Sequence, residues 1–136
     1  MCELARSLAA EQPNRLGILS SAEHLDGCTC MLYLNGDHKK PLFMSELKGQ
    51  PAWVNVDGRD VELSLQTTTE KNMWTLGARF SRTYAAGDGL RVLVQYRVVS
   101  VCKPNTECDG SRVSGSLTLN PAEARSSLPA RGFCGC

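Results

Sequence analysis

At 136 residues the chain is long enough for one domain with a real hydrophobic core. Fifteen basic residues against fourteen acidic give a formal charge of +1, which removes the bulk electrostatic argument for nucleic acid and leaves no polybasic run for anionic lipid. No apolar run approaches bilayer-spanning length, so no membrane span is expected.

Residues 1–26 read as an N-terminal segment, and 27–136 as the domain proper. Met1–Ala10 ends in Ser7-Leu-Ala-Ala10, which resembles the small-residue end of a secretory signal peptide, but no charged or apolar region precedes it. On one reading Met1 is an internal start, and cleavage after Ala10 discards Cys2 to leave six cysteines. On the other, Leu4 and Leu8 mark a short amphipathic helix on a cytosolic protein. The even count favours export. From Asn14 to Asp26, Leu16, Leu19 and Leu25 recur at loosely helical spacing, with Ser20 and Ser21 as N-cap candidates, and predict a short helical segment.

Strand signals then dominate. Cys28–Asn35 runs into Asn35-Gly36-Asp37, a strong hairpin turn, and Pro41–Leu47 is the return strand. Pro51–Val56 and Val61–Thr69 flank Asp57-Gly58, which supplies the positive φ values of a tight primed turn. Trp74–Ala85 places Ala78, Phe80, Arg82 and Tyr84 on one face, and Gly87-Asp88-Gly89 turns the chain again. Leu90–Cys102 is the longest strand: Leu90, Val92, Val94, Tyr96 and Val98 share one face. Arg91, Gln95 and Arg97 lie on the other, which becomes apolar at Val99 and Val101 and predicts burial on both faces near that end. After the turn-rich Cys102–Cys108 loop, Val113–Leu119 alternates again. Ala122–Ser127 is a polar connection, and the chain closes on Gly132-Phe-Cys-Gly-Cys136. The predicted fold is all-β: a small antiparallel β-sandwich or partly open barrel of seven to eight strands, behind the short N-terminal helical segment.

Seven cysteines is a high count. Cys102 and Cys108 enclose five residues at a hairpin end, where cross-strand partners are close enough to bridge. In a strand, residues i and i+2 share a face, so Cys28 and Cys30 project together, as do Cys134 and Cys136. Bridges between the two pairs would tie the tail to the first strand, with either pairing open, and closing so long a loop is worth about 4.8 kcal/mol. The tail would then be a strap, laid close at Gly132 and Gly135, with Phe133 anchored at the core edge. Two rival readings remain. Cys28, Cys30, Cys134 and Cys136 as thiolates suit zinc or, given the one-residue spacing, copper. A mobile Cys-Gly-Cys would suit thiol exchange. Structural disulfides are favoured in a chain this rich in paired cysteines.

Catalytic signatures are missing: there is no nucleophile elbow, zincin, Walker or dinucleotide fingerprint. His24 and His38 read as solvated surface residues, and Asp57-Gly-Arg-Asp60 as a turn rather than a carboxylate pair. No cofactor is implied. Trp53 is the exception among the aromatics. If Val54 and Val56 face the core, Trp53 points outward with Asn55, as a binding hot spot or as a surface covered by a terminal segment. Loops on rigid scaffolds carry contacts, so Trp53, Arg59, Lys103, Asn105 and Glu107 are the candidate binding residues. The function expected is that of a non-enzymatic binding protein, with metal binding as the alternative.

Gly27-Cys-Thr-Cys30, Ala52-Trp-Val-Asn-Val-Asp-Gly-Arg-Asp-Val61, Cys102-Lys-Pro with Cys108, and the terminal Cys-Gly-Cys together resemble a family of uncharacterised exported bacterial proteins. The resemblance covers roughly Leu25–Cys136 and rests on cysteine spacing. It implies a periplasmic or secreted location and disulfides, with no established activity. The partner expected is therefore another protein or a cell-wall component. A small exported β domain with disulfides is also similar in architecture alone to periplasmic inhibitors of lysozyme.

Overall fold

The structure, a computed structural model, describes residues 15–69, 75–102, 110–120 and 127–136. Among the described residues nine antiparallel strands follow one another: β1 (Leu16–Gly17), β2 (Thr29–Leu34), β3 (Pro41–Glu46), β4 (Ala52–Val56), β5 (Arg59–Thr68), β6 (Arg79–Ala85), β7 (Arg91–Ser100), β8 (Gly110–Leu119) and β9 (Ser127–Gly135). Their order is β1-β4-β3-β2-β9-β8-β7-β6-β5, and β5 pairs back onto β4. Eight strands thus close into a barrel, which abolishes the exposed edges an open sheet would carry. The ninth, β1, extends β4 at Asn55 and Val56, beyond the last β3 pair at Val54.

The expectation of an all-β antiparallel fold holds, and the barrel is fully closed. Tight turns at Asn35-Gly36 and Asp57-Gly58 carry the positive φ values their sequences imply (53° and 76°, 52° and 86°). The helical segment expected over Asn14–Asp26 is corrected: residues 15–26 hold β1 and a series of bends, with no helix. The three leucines there are recruited by tertiary contacts instead, with Leu19 buried and its N–H bonded to the Pro41 carbonyl. Residues 1–14 lie outside the described residues, and with them both readings of Met1–Ala10, the expected cleavage after Ala10 and the short amphipathic helix.

Alternation along each strand fills the barrel. Cross-strand partners share a face, so the interior includes Leu32 with Phe43, Val54 with Val61, Tyr84 with Val92, and Val94 with Leu117. Arg82 is also interior and fully buried. One guanidinium nitrogen donates to the Leu47 carbonyl at 2.7 Å, and the group lies 5.6 Å from the ring centroids of both Phe80 and Tyr96.

The tail is a strand, not a free end. β9 lies between β2 and β8; it begins at Ser127, the last residue of the segment expected as a polar connection, and carries Pro129. That proline sits one residue past the last β2 pair, at Ala130, where only β8 lies opposite. Gly132 faces the interior, where a Cβ would collide with the Met31 carbonyl, so glycine is required. Cys28 bonds Cys136 and Cys30 bonds Cys134, spanning 108 and 104 residues. The register sets this nested pairing, since Cys30 stands directly opposite Cys134. Phe133, expected at the core edge, is corrected: odd parity along β9 turns it to the outer face, where it is exposed.

Candidate functional site

Two clusters on the outside of the barrel combine polar chemistry with defined geometry. The first surrounds Trp53. On β4, alternation sends Val54 and Val56 inward and Trp53 and Asn55 outward, as expected. Residues 15–26 cross this face as a strap. His24 stacks on Trp53 with ring centroids 3.9 Å apart and planes 8° from parallel. Its Nε2 lies 2.7 Å from an Asp60 carboxylate oxygen. Asp60 also accepts from the Ser20 N–H at 2.8 Å, the Ser21 N–H at 3.1 Å and the Asn55 amide at 3.0 Å. Burial works to raise the Asp60 pKa. The hydrogen bonds, that of His24 first, outweigh it and lower the carboxyl from 3.8 to about 2.

This arrangement revises three readings. His24 is a stacked, hydrogen-bonded strap residue and not solvated surface. Asp60 is more than part of a turn: it is the acceptor that holds the strap. Trp53 is covered by a terminal segment, so the covering explanation of its outward position applies. The His24–Asp60 pair resembles half of a catalytic triad, yet the nearby Ser21 hydroxyl accepts from the Glu23 N–H and no hydroxyl is hydrogen-bonded to His24 among the described residues. Its geometry is that of a clasp.

The second cluster is a cleft of about 660 Å³ on the outer face of β2, β9, β8 and β7. It falls within the size range of ordinary small-ligand sites. The register builds it. Arg97 on β7 pairs with Ser114 on β8, Ser114 with Arg131 on β9, and Arg131 with Tyr33 on β2. Arg79 on β6 continues the row, directly opposite Arg97. Two positions along β8 from Ser114 stands Arg112, which faces Phe133. Ser114 therefore sits amid Arg97, Arg112 and Arg131. With strands about 4.8 Å apart and a rise of about 3.4 Å per residue, each of the three Cα atoms lies within about 5–7 Å of it.

The cleft walls are of two kinds. On one side the Asn35–His38 hairpin rises, with His38 stacked on Tyr33 at 4.5 Å and the backbone of Gly36 over the Arg131 stem. On the other, Val99 and Phe133 expose apolar surface, 41% and 36% respectively. The expected burial of Val99 on a two-sided core is thereby corrected, because among the described residues no second layer covers the outer face of the barrel there. No aspartate or glutamate lines the cleft among the described residues.

Of the binding residues expected from sequence, Arg59 is exposed beside the Asp57-Gly58 turn, on the strap side and away from this cleft. Lys103, Asn105 and Glu107 lie outside the described residues, as does Cys108. Cys102 is disulfide-bonded, and its sulfur accepts from the Gly110 N–H at 3.1 Å. Cys28, Cys30, Cys134 and Cys136 are paired in disulfides, which leaves none of these four sulfurs as a thiolate for a metal.

The arginine row was not singled out from sequence, because Arg79, Arg97, Arg112 and Arg131 are widely spaced and only register brings them together. The usable signal was the outward parity of Arg97 in β7 combined with a Gly-flanked arginine in the tail. Compared with known proteins, the chain matches no family model, no curated protein and no solved structure.

Proposed function

We propose that the protein is a non-enzymatic, exported binding module, periplasmic or secreted, that holds an anionic partner against the outer face of β7, β8, β9 and β2. The observation that carries this is the in-register row Arg79–Arg97–Ser114–Arg131–Tyr33, with Arg112 beside it and, among the described residues, no acidic residue along it. Like charges directly opposite one another destabilise a sheet. Arg79 against Arg97, with their Cα atoms about 5 Å apart, is therefore a local cost to the fold that a bound anion would relieve. Export is supported by the disulfides that join β2 to the tail, which suit an oxidising compartment. An inhibitor of a partner enzyme is a specific form of the same reading.

The test is binding to a soluble sulfated polysaccharide at low and moderate salt. Saturable, salt-sensitive binding that disappears in Arg97→Glu/Arg131→Glu, but persists in Lys48→Glu and Arg59→Glu, is expected. Equal binding by all four proteins would overturn the assignment of the face. Turnover above about 1 s⁻¹ in a broad hydrolase screen would overturn the non-enzymatic reading.

A further inference from the structure

Resting on that reading, we propose that the cleft centred on Ser114 is a phosphate site, and that its ligand is a phosphate monoester on an organic body with an apolar face. Three features select this chemistry. Arg97, Arg112 and Arg131 approach Ser114 from its two neighbouring strands and from along its own. Long guanidinium side chains rooted that close together can meet over the serine hydroxyl, and planar guanidinium forks match the oxygens of a phosphate bidentately. A phosphate monoester carries −1.5 to −2 charges and three acceptor oxygens, which suits three convergent cations better than a single carboxylate does.

The remaining donors extend the argument. The cleft also contains Tyr33, Asn35 and His38, and it presents few side-chain acceptors. A cation or a hydrogen-bond-donating sugar would find little to bind. Meanwhile the apolar rim of Val99 and Phe133 adjoins Arg112, with Phe133 in register against it. The stacked Tyr33 and His38 rings form the opposite wall. An anion with no organic part would leave both walls unused.

Titration calorimetry of the full chain with phenyl phosphate, inorganic phosphate and benzoate tests the proposal. Phenyl phosphate should bind one per chain, at least tenfold more tightly than either of the others. Arg97→Gln, Arg112→Gln and Arg131→Gln should each weaken it about tenfold or more, as loss of a charge-assisted contact implies. Lys48→Gln should leave it unchanged, and Phe133→Ala should lower affinity for phenyl phosphate while sparing inorganic phosphate. Thermal unfolding of each variant keeps loss of binding separate from loss of fold. The source of the phosphate is distinguished by adding vesicles of neutral lipid with or without phosphatidic acid: binding only to the acidic vesicles identifies a lipid headgroup, and binding to soluble phenyl phosphate alone identifies a free ligand. Equal affinity for benzoate and phenyl phosphate, or no saturable binding of any phosphate probe, would overturn the inference. If sulfated polysaccharide still binds through Arg97 and Arg131 in that case, the broader anionic reading survives it.

Discussion

Replacing Asp60 by alanine should release the strap over Trp53. The carboxylate is only 8% exposed and receives the Ser20 and Ser21 N–H groups, the His24 ring and the Asn55 amide. Its pKa falls from 3.8 to about 2 on folding, which corresponds to about 2 kcal/mol of stability from the ionised group alone. A carboxyl whose folded pKa is lowered stabilises the protein above its unfolded value. The contribution is therefore complete above about pH 5 and drains away as the pH falls through 4 towards 2. Hydrogen exchange is the informative assay, since Ser20 and Ser21 lose their acceptor trivially. The Leu19 N–H, bonded to the Pro41 carbonyl, and the Asp57 N–H of the β4–β5 turn, bonded to the Arg15 carbonyl, never touch Asp60 yet both join the same strap to the barrel. If the clasp closes the strap as a unit, both should lose about 30-fold in protection at pH 7 in Asp60→Ala, the factor equivalent to about 2 kcal/mol. The difference between wild type and variant should shrink below pH 4. Unchanged protection at Leu19 and Asp57 would refute the clasp and reduce Asp60 to a local cap.

Three further outcomes follow from the barrel. Intact mass before and after reduction should show six thiols released from three disulfides, whereas four free thiols with stoichiometric zinc or copper would restore the metal reading. By loop entropy, Cys28→Ser/Cys136→Ser should cost only about 2 kcal/mol, because the Cys30–Cys134 bridge still closes the long loop; removing both bridges should cost about 7 kcal/mol, comparable with the whole stability of a domain at the lower end of the ordinary range of about 5–15 kcal/mol, and denaturant midpoints measure each. Gly132→Ala drives a Cβ into the Met31 carbonyl and should cost about 3 kcal/mol or more, while Gly58→Ala meets only open space at φ 86° and should cost about 1 kcal/mol, so equal unfolding free energies for the two would show that β9 is not held closely against β2.

Legibility in the sequence follows the range of the interaction that fixes each feature. The Asn35-Gly36 and Asp57-Gly58 turns are local chemistry, and both appear where the dipeptides place them. The inward set of β7 is a period-2 pattern within one strand, and Val92, Val94, Tyr96 and Val98 are all buried. Val99 shows where that reasoning ends, because an apolar residue on the outward parity looks the same whether a second layer covers it or a ligand cleft uses it. The strap failed for the opposite reason. Its leucine spacing is mildly helical, but Asp60, about 40 residues away, competes for the Ser20 and Ser21 amides and wins. β9 is half legible: the paired cysteines and Gly132 predict a tail laid close against the first strand, whereas the start of the strand at Ser127 is set only by its pairing with β8.

The arginine cluster belongs to the longest range of all. A formal charge of +1 describes the sum and says nothing about its arrangement. The barrel sorts part of that sum: Asp57, Arg59, Asp60 and Glu62 mix the two signs about the β4–β5 turn, whereas Arg79, Arg97, Arg112 and Arg131 fall together on the β6–β9 side. Nothing in core packing requires the second group, since all four side chains are exposed and point away from the interior. Folding alone would be served better by alternating signs along the row, which stabilise cross-strand pairs instead of opposing them. The scaffold can hold such a row because its stability is secured elsewhere, by closure of the sheet and by two bridges at the seam of β2 and β9. A repulsive line kept on a strongly closed barrel is where a ligand of opposite charge gains most, because binding adds its own contacts and removes a repulsion already present.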